Sequence, residues 1–401
     1  MKLSNLKALG TAVTAALALS ACTTVEKPPI DEPKKPLVKE TKVSFEEKTF
    51  ADLPASSAES WEAALLSFRH SCSAAMGQDA KWANTCRQAE ETPVTSAQDF
   101  FYRAFTPWQI RIDEIGDGEL LSSRTTGLMT GYYEPLLHGS RTKTGPYVHP
   151  IYGIPDDLLV IDLADTYPQL KGLRLRGKLE GRRVVPYDTR GVIQERTDMD
   201  RWALAWVDDP IASFFLQVQG SGRIRLTDGT YLRVGYGDQN GYRYRSIGNW
   251  LIKKGYLKSH ELSMQRITAW AKQNPSRVKE ALAQNPSYIF FAERTSPPEL
   301  GPVGAQGVPL TPQASVAVDP RYWRMGTPFM VDVEQKRPDL AFARPVIAQD
   351  TGGAIKGVIR FDYFWGFGDE AGAMAGRQKS RAAAWVLVPN GLLPEDITRI
   401  R

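Results

Sequence analysis

A mainly β fold of the β-rich α+β kind is what this chain of 401 residues predicts. Glycine (33) and proline (27) are frequent and aromatics reach 10%, a mix that suits strands joined by tight turns. Short apolar or alternating runs recur between Gly, Pro and Asp clusters, while helical spacing is confined to two stretches. The length exceeds one ordinary core and points to about two domains.

The elements are justified from the N-terminus. Met1–Lys7 carries two lysines, Ala8–Ala18 is apolar but too short to span a bilayer, and Leu19-Ser20-Ala21-Cys22 follows. A basic start, an apolar stretch and a small-residue site are the layout of a secretory signal. Leu-Ser-Ala-Cys resembles a bacterial lipobox, which implies cleavage before Cys22 and lipidation of that residue. Thr23 after it, where aspartate would retain a lipoprotein at the inner membrane, implies the outer membrane facing the periplasm. No later stretch is apolar enough to span. Residues 23–45, rich in Pro, Lys, Glu and Thr, cannot bury a core and are expected to form a flexible tether. Cys72 and Cys86 remain. In an oxidising compartment they can close a disulfide that stabilises the fold by about 3 kcal/mol, or stay as two free buried thiols.

Folded sequence is expected from about Phe50. Ser56 with Glu59 reads as a capping box before Trp61, Leu65, Leu66 and Phe68 at helical spacing. Ser96 starts a second helix over 97–105. Strands are expected over 128–133, 147–151, 158–161 and 214–218, with a hairpin turning at Asp228-Gly229. Helices return over about 246–290, started by Ser246, Ser259 and Ser276 and stopped by Asn285-Pro286. The pattern is then β over 288–291, 315–318, 328–333, 344–349, 354–364 and 383–388.

Composition and spacing exclude several chemistries. The net charge of +5 is small and no Lys/Arg block marks a nucleic-acid surface. The histidines at 70, 138, 149 and 260 have no metal-ligand spacing, no cysteine pair has zinc spacing, and no nucleophile elbow or phosphate loop is present. No metal and no cofactor is expected. What remains is dense in carboxylates, aromatics and glycine: Thr130-Gly131-Tyr132-Tyr133-Glu134-Pro135, then Gln219-Gly220-Ser221-Gly222, then Asp350-Thr351-Gly352-Gly353 through Asp362 to Asp369. Asp is a poor strand former, yet Asp362 lies among Phe361, Tyr363, Phe364 and Trp365. It is either solvent-facing on the opposite side of the strand or held in an apolar wall, where desolvation would raise its pKa and suit it to donate a proton.

These blocks, with Tyr244-Arg245-Ser246-Ile247-Gly248 and Asn285-Pro286-Ser287-Tyr288, occur in an order that resembles the membrane-bound lytic murein transglycosylase A family over roughly residues 100–390. The resemblance implies a double-psi β-barrel over 46–134 and 289–401, with a second β-rich domain inserted over 135–288 and a glycan groove between them. It also implies a C-terminal domain type named for three aspartates, here Asp350, Asp362 and Asp369. The implied reaction cleaves the β-1,4 bond between N-acetylmuramic acid and N-acetylglucosamine without water, leaving 1,6-anhydromuramic ends. Asp362 would serve as acid and then base, with Asp350 beside it. Thr130, Gly131, Tyr132, Tyr133, Glu134, Gln219, Gly220, Ser221 and Asp369 would line the groove. The implied partners are peptidoglycan strands, the membrane through Cys22 and other cell-wall enzymes, with the chain itself a monomer. Two rival readings stand beside it: a muramidase-type hydrolase using Asp350 and Asp362 on water, and a peptidoglycan-binding lipoprotein without activity.

Overall fold

The computed structural model describes residues 39–295, 297, 299–337 and 339–400. The signal segment with Cys22, and residues 23–38 of the expected tether, lie outside the described residues. Residues 39–45 of that tether instead begin strand β1 (Lys39–Glu47), which pairs antiparallel from Lys39 opposite Gly116 to Glu47 opposite Trp108. Val43 and Phe45 alternate with polar neighbours and pack on the main core, a period-2 pattern masked by the Lys/Glu composition.

Helix α1 (Ala58–Cys72) follows, capped by Ser57 rather than Ser56: the Ser57 hydroxyl accepts from Ser60 N at 3.3 Å. Trp61, Leu65 and Phe68 are buried and Leu66 is exposed. An unforeseen helix, α2 (Ala80–Glu91), starts at an Asp79 cap, and the Cys72–Cys86 disulfide ties it to the end of α1. Then come α3 (Ala97–Ala104), β2 (Phe105–Gly116), β3 (Glu119–Arg124) and β4 (Thr126–Glu134).

The middle of the chain holds β5 (Leu136–Ser140), β6 (His149–Tyr152), β7 (Leu159–Ile161), β8 (Leu175–Glu180), β9 (Arg183–Pro186), α4 (Arg190–Ile193), β10 (Ala203–Val207), α5 (Pro210–Gln219), β11 (Ser221–Leu226) and β12 (Tyr231–Gln239). After them come α6 (Ile247–Lys253), α7 (Met264–Gln273), α8 (Val278–Ala283) and β13 (Ile289–Arg294). Residues 214–218, expected as a strand, lie inside α5. Asp209 accepts from Ile211 N at 2.7 Å and Ala212 N at 3.2 Å, Pro210 occupies the first turn, and Gly220 ends the helix at φ +82°. These end signals override the apolar run. Helix α7 starts from Ser263, which accepts from Arg266 N, and not from Ser259.

The last stretch holds β14 (Ser315–Ala317), β15 (Pro328–Lys336), β16 (Asp339–Asp350), β17 (Arg360–Phe367), α9 (Gly368–Ala375), β18 (Lys379–Pro389) and α10 (Pro394–Ile397). Strand β17 begins six residues later than the apolar pattern suggests. Gly357, at φ +126°, makes a turn whose N–H donates to the fully buried Asp319 at 2.8 Å.

Strands β4, β17, β14, β16, β15 and β18 close on themselves, since β18 also pairs with β4. This six-stranded barrel mixes parallel pairs (β4 with β17, β14 with β16) and antiparallel ones, and β2, β1 and β3 extend it outward. Phe329, Phe361, Tyr363 and Val386 fill it, and α1 to α3 pack aromatics against the same cluster. Burying each such large side chain contributes roughly 1.5–3 kcal/mol relative to exposing it. A six-stranded sheet (β13-β12-β11-β5-β10-β6) and a three-stranded one (β7-β8-β9) come from the segment between β4 and β14. The fold is mainly β, as the sequence predicts.

Candidate active site

One row of paired residues crosses five barrel strands: Asp350 of β16, Ala317 of β14, Asp362 of β17, Thr130 of β4 and Lys379 of β18. Directly paired residues point to the same face of a sheet, so these side chains stand together. Two strand spacings put the aspartate backbones roughly 10 Å apart, with only the methyl of Ala317 between them. Phe361 and Tyr363 alternate to the other face and fill the barrel. The resulting strand is apolar on one side and carries Arg360, Asp362 and the buried Phe364 on the other.

Asp362 is the apolar-wall case. Burial is the largest influence on its carboxyl and the Asp350 charge adds to it; a Thr130 hydrogen bond and the Arg360 charge oppose them, and the pKa is pushed up to about 6. The Thr130 hydroxyl donates to Oδ1 at 2.5 Å, and Arg360 Nη2 donates to the Thr130 oxygen at 3.0 Å. Oδ2 accepts no hydrogen bond from the described residues, so a proton carried there is not committed to a protein acceptor.

Asp350 is held differently. Oδ1 accepts from Ala305 N at 2.9 Å and Oδ2 from the Tyr132 hydroxyl at 3.1 Å. Burial raises its pKa while these donors and Thr351 N oppose the rise. The Tyr132 phenol is itself driven well above its ordinary value by burial and by the two aspartate charges, so it stays a donor. Its ring sits 5.2 Å from that of Phe364, with Leu310 behind them. Beneath Asp350, Gln349 is fully buried: Oε1 accepts from Ser67 at 2.7 Å and Ser315 at 2.5 Å, and Nε2 donates to Ser67 O at 2.7 Å and Ser71 at 2.9 Å. Helix α1 is thereby bonded to the residue next to Asp350.

The other expected groove residues separate into two groups. Thr130, Tyr132, Tyr133 and Gln219 stand at or beside the row. Tyr133 N donates to Gln219 Oε1 at 3.2 Å, and the Tyr133 ring lies over Gly372, where a Cβ would come within 2.8 Å. Gly131 faces the barrel side. A Cβ there would come within 2.6 Å of both Trp365 Nε1 and Gln378 Oε1, which bond each other at 2.7 Å. Gly220 is the α5 stop and Ser221 opens β11. Asp369 is exposed in the first turn of α9, and its charge helps raise the Tyr133 pKa.

Glu134 differs from the other expected groove residues. Its carboxylate is 1% exposed and is paired with Arg223 at 2.9 Å and Arg233 at 3.3 Å. Both arginines also donate to Leu300 O, Arg233 donates to Pro297 O, and Arg223 lies 4.3 Å over the Phe367 ring. Glu134 thus braces the place where the chain leaves the barrel against the segment that leads back to it. Sequence reasoning missed Arg360, Ala305 and Gln349. The signal for Arg360 was present, because a residue two positions before Asp362 in a strand shares its face.

The barrel and its insertion define a class on comparison with known proteins: residues 128–292 match the MltA specific insert domain and residues 314–388 match the 3D domain. The membrane-bound lytic murein transglycosylase A of Escherichia coli (strain K12) is 35% identical over 266 residues, 64% of this chain. The match likewise spans 64% of that curated relative's length. The crystal structure of MltA from Neisseria gonorrhoeae, monoclinic form, is 38% identical at a TM-score of 0.76, covering 92% of this chain and 98% of that one. E. coli MltA with bound chitohexaose is 26% identical at a TM-score of 0.63, covering 86% and 94%. The chain belongs to the membrane-bound lytic murein transglycosylase A family.

Proposed function

We propose that this protein is a peptidoglycan lytic transglycosylase, cleaving the β-1,4 bond between N-acetylmuramic acid and N-acetylglucosamine and leaving a 1,6-anhydromuramic end. The observation that carries this reading is Asp362: a carboxyl raised to about 6, with one oxygen fixed by Thr130 and the other without a partner among the described residues. Protonated on Oδ2, it gives its proton to the glycosidic oxygen as the C1–O4 bond breaks, and O4 leaves as a hydroxyl. The muramic O6 then attacks C1, and the O6 proton returns to the carboxylate. No water enters, so one carboxyl is enough where a hydrolase needs two. Asp350, with both oxygens engaged, stabilises positive charge on the sugar ring instead of moving a proton. Thr130, Tyr132, Tyr133, Gln219 and Ser221 bound the strand of sugars, with Asp369 at the groove's rim.

The same reading makes the barrel catalytic and the inserted segment the substrate domain, with the boundary expected at 288/289 moved to about 294/295, because β13 (Ile289–Arg294) pairs with β12 in the six-stranded sheet. It places the protein on the outer membrane, facing the periplasm, through a lipid on Cys22. The relatives' names, with "membrane-bound" among their words, support membrane association. Mass spectrometry of muropeptides released from sacculi by the chain from Thr23 onward tests the reaction. Products one water lighter than ordinary muropeptides are expected from wild type and none from Asp362→Ala. Full-mass reducing products would make it a hydrolase, and sedimentation with sacculi without release would make it a binding protein.

A further inference from the structure

Ser71 is fully buried in the last turn of α1, and its hydroxyl reaches both sides of Asp350. It donates to Gln306 Oε1 at 2.8 Å and accepts from Gln349 Nε2 at 2.9 Å. Gln349 precedes Asp350 in β16. Gln306 follows Ala305, whose N–H donates to Asp350 Oδ1 at 2.9 Å, and Gln306 N donates to Gln349 O at 3.0 Å. One hydroxyl therefore ties together the strand that carries the carboxylate and the loop that holds one of its oxygens.

That hydroxyl sits where a helix is least secure. Terminal turns fray, because their last carbonyls lack partners within the helix. Ahead of Ser71, α1 is joined to α2 by Phe68, 6.1 Å from the Trp82 ring, and by Arg69, which donates to Ala89 O at 2.9 Å. Past Ser71 the join is covalent: Cys72, the last residue of α1, is bonded to Cys86 of α2, with Cα atoms 5.4 Å apart. The loop that this bond closes returns to the same place. A Cβ on Gly77 would come within 2.0 Å of Cys72 O, so the chain turns back against the helix end. The buried Met76 rests on Gly326, where a Cβ would meet its sulfur at 2.0 Å, and Gly326 N donates to Ala348 O at 2.6 Å, two residues before Asp350.

We propose that Cys72 and Cys86 are positioning residues for Asp350: their bond fixes the last turn of α1, that turn fixes Ser71, and Ser71 fixes Asp350 through Gln349, Gln306 and Ala305. The sulfurs take no part in the chemistry. In the reading proposed above, on which this rests, the Asp350 carboxylate stabilises positive charge on the sugar ring. A group of that kind loses much of its effect when it is misplaced slightly, while binding of the rest of the strand is little altered. Disulfides persist in oxidising compartments and are kept open in reducing ones, so the same chain is a slower enzyme when its thiols are free.

The full chain carrying Cys72→Ser with Cys86→Ser, compared with wild type on sacculi well below both thermal midpoints, tests this. The kcat should fall about tenfold and KM should change less than about twofold. The pH profile should move as well. The Asp350 charge helps to raise the Asp362 carboxyl, and an Asp350 that loses the Ala305 donor is both displaced and more easily neutralised, so the basic limb should shift below its wild-type position. In a Ser71→Ala background, opening the bond should lower kcat by less than about twofold more, because the link it acts through is already gone. Should the serine pair fold poorly, Cys72→Ala with Cys86→Val replaces it, beside wild type reduced after folding with its free thiols counted. A folded protein that lacks the bond and keeps wild-type kcat would overturn the proposal. So would a loss of kcat that leaves the limb in place and recurs in full in the Ser71→Ala background, which would assign it to general loosening. Wild type that releases no anhydro products would instead overturn the catalytic reading, and this proposal with it.

Discussion

Thr130 donates its hydroxyl to Asp362 from the neighbouring parallel strand at 2.5 Å, and its oxygen is already occupied by Arg360 at 3.0 Å. The direction of the Thr130 proton is therefore fixed: it points at Asp362 and favours the ionised carboxylate. Burial works the other way and prevails, since the pKa rises from 3.8 to about 6. A proton donor that holds its proton at mildly acidic pH, yet releases it easily, is the outcome of that opposition.

The pH dependence follows in sign. Donation needs the protonated form, so kcat/KM should be level below about pH 6 and fall about tenfold per pH unit above it. Stability runs parallel. A carboxyl whose folded pKa is raised contributes stability below its unfolded value, and that contribution is lost as pH rises through about 6. Asp362→Asn, which cannot ionise, should lose anhydro-product formation yet melt at a higher temperature than wild type at pH 8. Calorimetry beside a muropeptide assay checks both halves. An Asn variant that melts lower at pH 8 would show that Asp362 is not held in an apolar wall.

Thr130→Val removes the bond that favours the carboxylate. The pKa of Asp362 should rise further, and the basic limb of the profile should move up by about one to two pH units, the worth of a hydrogen bond to a charged group. Turnover at pH 5 should fall only several-fold, because the donor itself remains. A limb that stays near 6 in this variant would detach Thr130 from the titrating group.

Much of this was legible in the sequence, for identifiable reasons. The barrel strands carry period-2 patterns, and Asp362 is conspicuous because a charge among aromatics contradicts strand preference. Its desolvation could not be read, since that depends on Tyr132, Phe364 and Leu310 closing over one face from three separate segments. Helix α5 was misread because Phe214–Val218 resembles a strand core, although Asp209-Pro210 and Gly220 marked its ends. The consequence is geometric. Gln217 and Gln219 would share one face in a strand, but in the helix they diverge: Gln217 turns inward to Arg190 at 2.7 Å and Gln219 meets Tyr133. Glu134 was placed in the groove by its neighbours in sequence, and only the approach of β11 and β12 shows that two arginines enclose it.

Glu134→Gln separates the brace from the groove reading. Removing the carboxylate takes the shared counter-charge from two buried arginines, at a cost of about 3–5 kcal/mol. The thermal midpoint should fall and KM for sacculi should rise, as the barrel and the six-stranded sheet lose their fixed setting. The basic limb near pH 6 should not move, because neither arginine influences Asp362. A variant with wild-type stability and a raised KM would instead return Glu134 to the groove.

Gln349 offers the last test. All of its polar capacity is used by Ser67, Ser71 and Ser315, each of them fully buried. Gln349→Leu should cost about 3–5 kcal/mol, because several buried groups lose partners at roughly 1–3 kcal/mol each. Adding Ser67→Ala and Ser315→Ala removes the stranded hydroxyls and should restore most of that stability, since replacing both sides of a buried hydrogen bond is close to neutral. Activity should not return with it. Asp350 follows Gln349 directly, and Gln306, bonded to both Gln349 O and Ser71, directly follows Ala305, whose N–H holds Asp350. A triple variant that melts like wild type but turns over sacculi more slowly would identify the network as a positioning device for Asp350, whereas recovery of both properties would reduce it to packing.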